Sequence, residues 1–240
     1  SSRIELRGLF DATRAEPPDD DTLAKRMRMF GYTREEKKML LLPMAVNGQE
    51  PVGSMGTDTP LAALSDRPRL LFEYFKQLFA QVTNPPIDPL REGLVMSLMH
   101  YTGKRRNLLD ETPEHCRQLK LPHPILTNED VARLRAVSLP DFKIVMIPAL
   151  FEAGTDDPGA ALRAGIETML AAAEKAIADG ASMLILSDRD ACQTAAPIPS
   201  LLAASALHHG MLDRNLRPEA SIVAEYGEAR EAMHYGLQLR

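Results

Sequence analysis

The 240-residue sequence contains no tryptophan, few aromatic side chains and only two cysteines, Cys116 and Cys192. The two cysteines are far apart and lack the CxxC spacing of zinc and iron–sulfur sites. The chain by itself therefore predicts neither a disulfide framework nor a cysteine-bound metal. We expect both cysteines to be buried free thiols.

Long apolar runs and excess positive charge are also missing. The sequence has no stretch of about 18 apolar residues, the length that a membrane-spanning helix needs. Its first ten residues, SSRIELRGLF, lack the apolar core of a signal peptide. The formal net charge of -5 argues against binding to nucleic acid or to an anionic membrane. These features predict a cytoplasmic protein.

Three common catalytic motifs do not occur. The sequence contains no GxSxG, HExxH or GxxxxGK[ST] pattern. The usual serine hydrolase, zinc peptidase and P-loop interpretations are therefore without support.

The second part of the chain, residues 131–240, predicts a βαβαβα arrangement. Three apolar runs have the length of buried strands: FKIVMIPAL, ASMLILS and SIVAEY. Helical patterns follow them, the first stopped by Gly180. Apolar strands that alternate with helices are typical of a mainly parallel sheet, so the predicted fold class is α/β, and this pattern alone is compatible with an open doubly wound sheet.

Residues 1–130 are irregular and rich in predicted helices, and we treat the whole chain as one domain. Thr33 and Glu36 have capping-box spacing, and Pro43 is expected to end the helix that they start. Apolar residues at helical spacing predict another helix over residues 70–82. A stiff extended turn is predicted for residues 84–89, which contain three prolines.

Charged residues follow two of the predicted strands. Ligands of parallel α/β sheets bind beyond the carboxyl ends of the strands, so these residues are candidates for an acid/base or anion site. The alternative is a set of ion pairs and helix caps that close the edge of the sheet. The candidates are Asp188, Arg189, Asp190, Glu225, Glu228 and Arg230.

The stretch EPVGSMGTDTPLAALS, residues 50–65, is a loop with two glycines between two apolar segments. Three interpretations compete for it: a phosphate cradle, a tight structural turn, or a finger that reaches into a neighbouring site.

Several long blocks resemble one known family in the correct order. The chain, from Phe30 to Gly236, resembles the central domain of the glutamate synthase large subunit and is expected to be an excised segment of such a protein. The blocks are EPVGSMGTDTPLAALS, LFEYFKQLFAQVTNPPIDPLREGLVMSL, KRRNLLDETPEHCRQLKLPHPIL, LILSDR, APIPSLLAASALHHG and VAEYGEAREAMHYGL.

The resemblance implies a parent enzyme that makes L-glutamate from glutamine and 2-oxoglutarate. Its amidotransferase domain releases ammonia, which travels through an internal tunnel to a synthase domain that binds FMN and an iron–sulfur cluster. Electrons come from a pyridine-nucleotide-oxidising small subunit or from ferredoxin. The central domain connects these domains and helps to form the tunnel, so no catalytic, cofactor-binding or metal-binding residue is expected in this segment, and the segment alone is expected to be inactive.

The resemblance also suggests which residues face the tunnel or the synthase site. The loop would be a finger with Met55 near its tip, and the QVTNPP segment would line the tunnel, unless both are stiff turns that support the interdomain fold. The candidates are Gly53, Ser54, Met55, Gly56, Thr57, Asp58, Thr83 and Asn84.

Because the family's central domain resembles its FMN domain in topology, the expected fold is an incomplete or distorted barrel-like arrangement. An autonomous α/β enzyme and a flavin-binding protein, each with its site at the strand ends, remain as alternatives.

Overall fold

The computed structural model describes residues 4–5, 18–48, 64–66, 69–77, 87–137, 139 and 142–239. The chain forms two compact units. The first unit comprises residues 1–18 and 98–227, and the second comprises residues 19–97 and 228–240. The prediction that the chain is one domain, with parts 1–130 and 131–240, stays a prediction.

The strands and helices are numbered in chain order. The strands are β1 (Ile4–Glu5), β2 (His100–Thr102), β3 (Leu119–Leu121), β4 (Ile144–Pro148), β5 (Leu150–Glu152), β6 (Met183–Ser187), β7 (Ala195–Pro197) and β8 (Ser221–Glu225). The α-helices are α1 (Asp20–Met29), α2 (Arg34–Glu36), α3 (Leu42–Asn47), α4 (Pro89–Val95), α5 (Asn128–Ala136), α6 (Pro158–Ala178), α7 (Ser200–Asp213) and α8 (Ala232–Gln238). A π-helical turn (Lys37–Leu41) and two 3₁₀ helices (Leu71–Phe75 and Pro113–Cys116) complete the set.

The core of the first unit is a parallel sheet with the strand order β4-β6-β8. All five residues of β6 are buried. Leu184 and Leu186 pack in a cluster with α6 and α7, whereas Met183 and Ile185 pack in a second cluster with β3 and α5. Successive side chains of a strand point to opposite faces, so these two clusters cover both faces of the sheet. The α/β class and the parallel pairing of these strands are therefore confirmed.

Two smaller sheets flank this core. In one, β3 pairs parallel with β1 and antiparallel with β2. In the other, β5 pairs antiparallel with β7. Helix α6 lies close to β5, and Gly165 of α6 makes this approach possible. A Cβ added at Gly165 would come within 2.6 Å of the Cβ of Phe151 in β5.

In the second unit, the capping box is confirmed and the expected helix end is wrong. The Glu36 backbone N–H donates to Thr33 Oγ1 at 3.1 Å, and the Thr33 N–H donates to Glu36 Oε2 at 2.7 Å. Pro43 does not end the helix, which continues to Asn47. The preceding turn is π-helical, with a bond from the Leu42 N–H to the Lys37 carbonyl. The missing N–H of Pro43 therefore falls in the first turn of α3, where proline is tolerated.

The predicted helix over residues 70–82 is also wrong in its length. The chain forms a 3₁₀ helix at Leu71–Phe75 and is extended at Lys76. Its aromatic residues have only moderate helix propensity, and one of them, Phe72, is fully buried. Residues 78–82 lie outside the described part of the chain.

Both cysteines are exposed, so the expectation of buried thiols is wrong. Cys116 is the last residue of a short 3₁₀ helix, and Cys192 lies between β6 and β7. The Cys192 backbone N–H donates to the Ala195 carbonyl at 2.9 Å, which holds it in the turn before β7.

No helix in the described part of the chain is long and apolar enough to cross a membrane. A cytoplasmic location stays a prediction.

Candidate functional site

Three of the predicted residues meet at the carboxyl edge of the parallel sheet. Ser187 pairs with Glu225 in the register of β6 and β8, and Asp188 and Arg189 follow directly. Adjacent parallel strands end at the same edge, which is why residues almost 40 positions apart come together here.

Glu225 is the centre of this group. Its Oε1 accepts a hydrogen bond from Arg189 Nε at 2.6 Å, and its Oε2 accepts one from Ser187 Oγ at 2.7 Å. Arg135 of α5 also donates to Oε2, and its guanidinium forms a second ion pair with this carboxylate. Arg189 extends the network by donating to Asn128 Oδ1 at 3.0 Å. The Glu225 side chain is only 9% exposed, so its carboxylate is enclosed by the residues that it binds.

Asp188 has a different structural partner. Its carboxylate accepts the backbone N–H of Gly227 at 2.9 and 3.2 Å, and its own N–H donates to the Glu225 carbonyl at 3.3 Å. Asp188 is buried, whereas Asp190 is exposed and Glu228 is half-buried. The strand ends are therefore joined by ion pairs and backbone hydrogen bonds. This geometry fits the structural interpretation of the edge better than an acid/base site.

Arg230 and Glu228 belong to the second unit. The Arg230 side chain is 4% exposed; its guanidinium pairs with Glu36, donates to the Phe30 carbonyl, and lies 4.2 Å from the ring centroid of Tyr32. Glu36 thus uses one carboxylate oxygen for the capping box and the other for Arg230. Burial raises the pKa of Glu36, but the hydrogen bonds from Thr33 and the charge of Arg230 outweigh burial and lower the pKa below its ordinary value.

His234 belongs to the same group of contacting residues, which we call the Arg230 cluster: Tyr32, Glu36, Phe72, Lys76, Arg230, Glu231 and His234. The His234 ring stacks on Phe72, with centroids 4.2 Å apart and ring planes 9° apart. Its Nδ1 accepts the backbone N–H of Arg230 at 3.1 Å, which requires an unprotonated Nδ1. Burial, followed by the charges of Arg230 and Lys76, lowers the pKa of His234 to about 4. The ring is therefore neutral at pH 7.

The Arg230 cluster was missed from the sequence. Arg230 and Glu36 are 194 residues apart, and a capping box alone gives no reason to expect a second partner for Glu36. A signal was available in part, because Arg230 and His234 are four residues apart at the start of a predicted helix.

The loop and tunnel candidates, residues 53–58 and 83–84, lie outside the described residues. Within the described residues, no group of three His, Cys, Asp or Glu side chains is placed to hold a metal ion.

Comparison with known proteins adds a family match. The family model for the glutamate synthase central domain matches residues 25–239. The chain is 47% identical over 213 residues to the glutamate synthase [NADPH] large chain of Bacillus subtilis, an alignment that covers 89% of this chain and 14% of that protein. It is 45% identical over 236 residues to glutamate synthase [NADH] of Schizosaccharomyces pombe, covering 98% of this chain and 11% of that protein.

A third relative has a different electron donor in its name. The chain is 40% identical over 221 residues to ferredoxin-dependent glutamate synthase 2 of Synechocystis, covering 90% of this chain and 14% of that protein. The chain therefore spans between 11% and 14% of the length of these three relatives.

The strand-end network predicts a structural effect for Glu225. Replacing Glu225 with Ala leaves two guanidinium groups without their shared carboxylate, and we expect a loss of about 2 kcal/mol of unfolding free energy. Urea denaturation measures this loss. The exposed neighbour provides a control, since Asp190→Ala should change stability by less than about 0.5 kcal/mol. Equal stability of Glu225→Ala and Asp190→Ala would show that the network is not structural.

The neutral His234 predicts a loss of stability in mild acid. Its folded-state pKa of about 4 is below the ordinary value of 6.5, so the unfolded chain binds the proton first as the pH falls. The stabilisation is complete above about pH 6.5 and is lost between there and about pH 4, by roughly 2 to 3 kcal/mol. Urea denaturation at about pH 7 and about pH 4.5 measures the fall, which His234→Gln should reduce. The control variant His100→Gln, at an exposed position, should lose as much unfolding free energy between the two pH values as the unsubstituted protein. The same loss in His234→Gln would contradict the assignment of the effect to His234.

Proposed function

The chain belongs to the glutamate synthase central domain family, and from that premise we propose that it acts as the non-catalytic central domain of a glutamate synthase. The observation that carries the proposal is the family match over residues 25–239 in a chain that spans 11% to 14% of the length of the three relatives described above. The network at the strand ends supports it, because the carboxylate of Glu225 is enclosed by its own protein partners.

The proposed parent enzyme makes L-glutamate from glutamine and 2-oxoglutarate. Its amidotransferase domain would release ammonia and its synthase domain would consume it, with this segment between them in the same polypeptide. Ammonia has to stay uncharged and away from bulk water during transfer, so a connecting domain with close-packed walls is useful there. The proposed location is the cytoplasm.

FMN and an iron–sulfur cluster are proposed for the synthase domain. An iron–sulfur cluster is held by several cysteine thiolates. This chain offers two, separated in sequence and both exposed, so its residues do not fit a cluster. The electron donor stays open, because relatives named for NADPH, NADH and ferredoxin are all 40% to 47% identical to this chain. A small subunit that oxidises a pyridine nucleotide and ferredoxin are therefore equal candidates as partners.

Exposed apolar side chains support a position among other domains. Met39, Leu42 and Val46 lie on one face of the helical segment that includes α3. These residues are 47%, 53% and 70% exposed. Leu90 and Leu94, one turn apart on α4, are 90% and 86% exposed. Clusters of exposed apolar side chains are typical of interaction surfaces.

For the fold, we propose an incomplete barrel-like arrangement. The neighbouring strands of the parallel sheet, β4, β6 and β8, follow one another in the order of the chain, without a reversal. Successive strands of a (β/α) barrel have the same order. An open doubly wound sheet is the alternative, since each of its halves is also sequential and only a reversal of strand order distinguishes it. An experimental structure of the complete parent protein would show a reversal if the alternative is correct.

We propose that the loop residues Gly53 to Asp58 contact the synthase site and that Thr83 and Asn84 line the ammonia tunnel. Their positions are tested in the complete parent enzyme. Met55→Ala and Thr83→Val should each increase severalfold the ammonia released to solvent per glutamine hydrolysed, because a damaged passage lets ammonia escape before it reacts. Assays of free ammonia and of glutamate in the same sample measure this coupling.

A surface substitution serves as the matched control. Lys25 forms an exposed ion pair with Asp21 on α1, so Lys25→Ala should leave coupling unchanged. If Met55→Ala and Thr83→Val behave like this control, the two segments are structural turns and the tunnel assignment is wrong.

A further inference from the structure

Two adjacent leucines of the first unit are almost fully exposed. Leu108 and Leu109, in the segment between β2 and β3, are 94% and 91% exposed. Neither belongs to the two hydrophobic clusters that cover the faces of the parallel sheet. A single exposed leucine is ordinary on a protein surface, whereas adjacent apolar side chains with this exposure mark an interaction surface.

The leucines occupy the two central positions of a hydrogen-bonded turn, residues 107–110, which we call the leucine turn. The Asp110 N–H donates to the Asn107 carbonyl at 3.1 Å, the bond that closes a β-turn. The Asn107 side chain adds two bonds, because its Oδ1 accepts the Leu109 N–H at 3.1 Å and its Nδ2 donates to Asp110 Oδ2 at 3.0 Å. Asparagine is favoured at the first position of a turn for this reason. The turn is therefore stabilised by its own polar groups and not by burial of the leucines.

The base of the leucine turn is fixed to the rest of the first unit. His115 Nε2 donates to the Asn107 carbonyl at 2.8 Å, which joins the turn to the 3₁₀ helix Pro113–Cys116. The Arg105 N–H donates to the Pro218 carbonyl at 2.8 Å, which joins the preceding segment to the residues before β8. A partner that binds the leucines does not have to order the turn first, so little conformational entropy is lost on binding.

The size and charge of this surface limit the choice of partner. Two leucine side chains are far smaller than the roughly 800 Å² that each partner contributes to a stable interface between separate proteins, so a second copy of the chain is disfavoured. Asp110 and Glu111 follow the leucines directly and the net charge of the chain is -5, which disfavours an anionic lipid surface. A small apolar contact is sufficient within one polypeptide, because covalent linkage gives a high effective concentration.

We propose that the leucine turn docks into an apolar pocket on another domain of the same polypeptide. The chain spans 11% to 14% of the length of the three relatives, so most of the proposed parent protein lies outside these 240 residues and can supply the pocket. This inference rests on the proposed function, since it requires that longer polypeptide. The leucine turn belongs to the first unit, whereas the exposed apolar residues of α3 and α4 belong to the second.

Thiol labelling at position 108 tests whether the leucine turn is covered in the complete parent protein. Leu108 is almost fully exposed, so Leu108→Cys should leave the fold unchanged. The variant is made both in the complete parent and in the 240-residue segment, and each is treated with a maleimide. Mass spectrometry of the peptide that contains residue 108 measures the rate. We expect the thiol to react more slowly in the complete parent by a factor of about ten or more, because a docked side chain is reached only when the contact opens.

A matched control shows that the reagent itself reaches both proteins equally. Lys25→Cys replaces a side chain that is 65% exposed on α1. The thiol introduced there should react at the same rate in the complete parent and in the segment.

A second substitution tests whether the leucines themselves make the contact. Leu109→Asp places a charge in the apolar pocket, which is unfavourable, so it should raise the labelling rate at position 108 in the complete parent about fivefold. Leu109→Met is the matched control, since it keeps an apolar side chain of similar volume and should leave the rate unchanged.

Equal labelling rates at position 108 in the segment and in the complete parent would overturn the proposal. A rate in the segment alone that falls as its concentration rises would also overturn it, since the partner would then be a second copy of the chain. Failure of the proposed function is a separate result, because glutamate formation by the complete parent tests it. Turnover together with equal labelling rates would reject the docking surface alone.

Discussion

Burial of β6 on both of its faces is the constraint on which the first unit depends. Each of its five residues is buried, so the strand needs a hydrophobic layer above and below it. Helices α6 and α7 supply one layer, and α5 with β3 supplies the other. The parallel pairing of β6 with β4 and β8 then places Ser187 beside Glu225 at the carboxyl edge of the sheet. The polar network at that edge is thus a consequence of a single buried strand.

The second unit is stabilised differently. Phe72 is its only buried hydrophobic side chain among the described residues, whereas Arg230, Glu231 and His234 are all buried. A buried guanidinium is tolerated only when it is paired and hydrogen-bonded, and Glu36, the Phe30 carbonyl and the Tyr32 ring supply those contacts. Loss of one partner would leave the others buried without compensation. The described residues of this unit are therefore held together by a few specific polar contacts.

Local patterns in the sequence were sufficient for the strands of the core and for the Thr33 capping box, because each depends on residues close in the chain. The strand-end group was predicted in part: Asp188, Arg189 and Glu225 lie at the carboxyl ends of adjacent parallel strands. Arg135 and Asn128 join them from a helix that sequence reasoning did not connect to the site. Pro43 was misjudged because a π-helical turn precedes it, and such a turn has no simple sequence signal. The pairing of Arg230 with Glu36 spans 194 residues and depends on tertiary packing alone.

The central proposal is that this segment has no active site of its own and functions as part of a longer glutamate synthase. The most direct measurement is the absorption spectrum of the purified 240-residue protein after incubation with FMN and removal of unbound flavin, combined with an assay for glutamate formed from glutamine and 2-oxoglutarate. The account predicts no retained flavin absorbance and no turnover, while the complete parent enzyme shows both. Retained flavin or turnover by the segment would contradict it and would favour a flavin-binding or catalytic site at the strand ends.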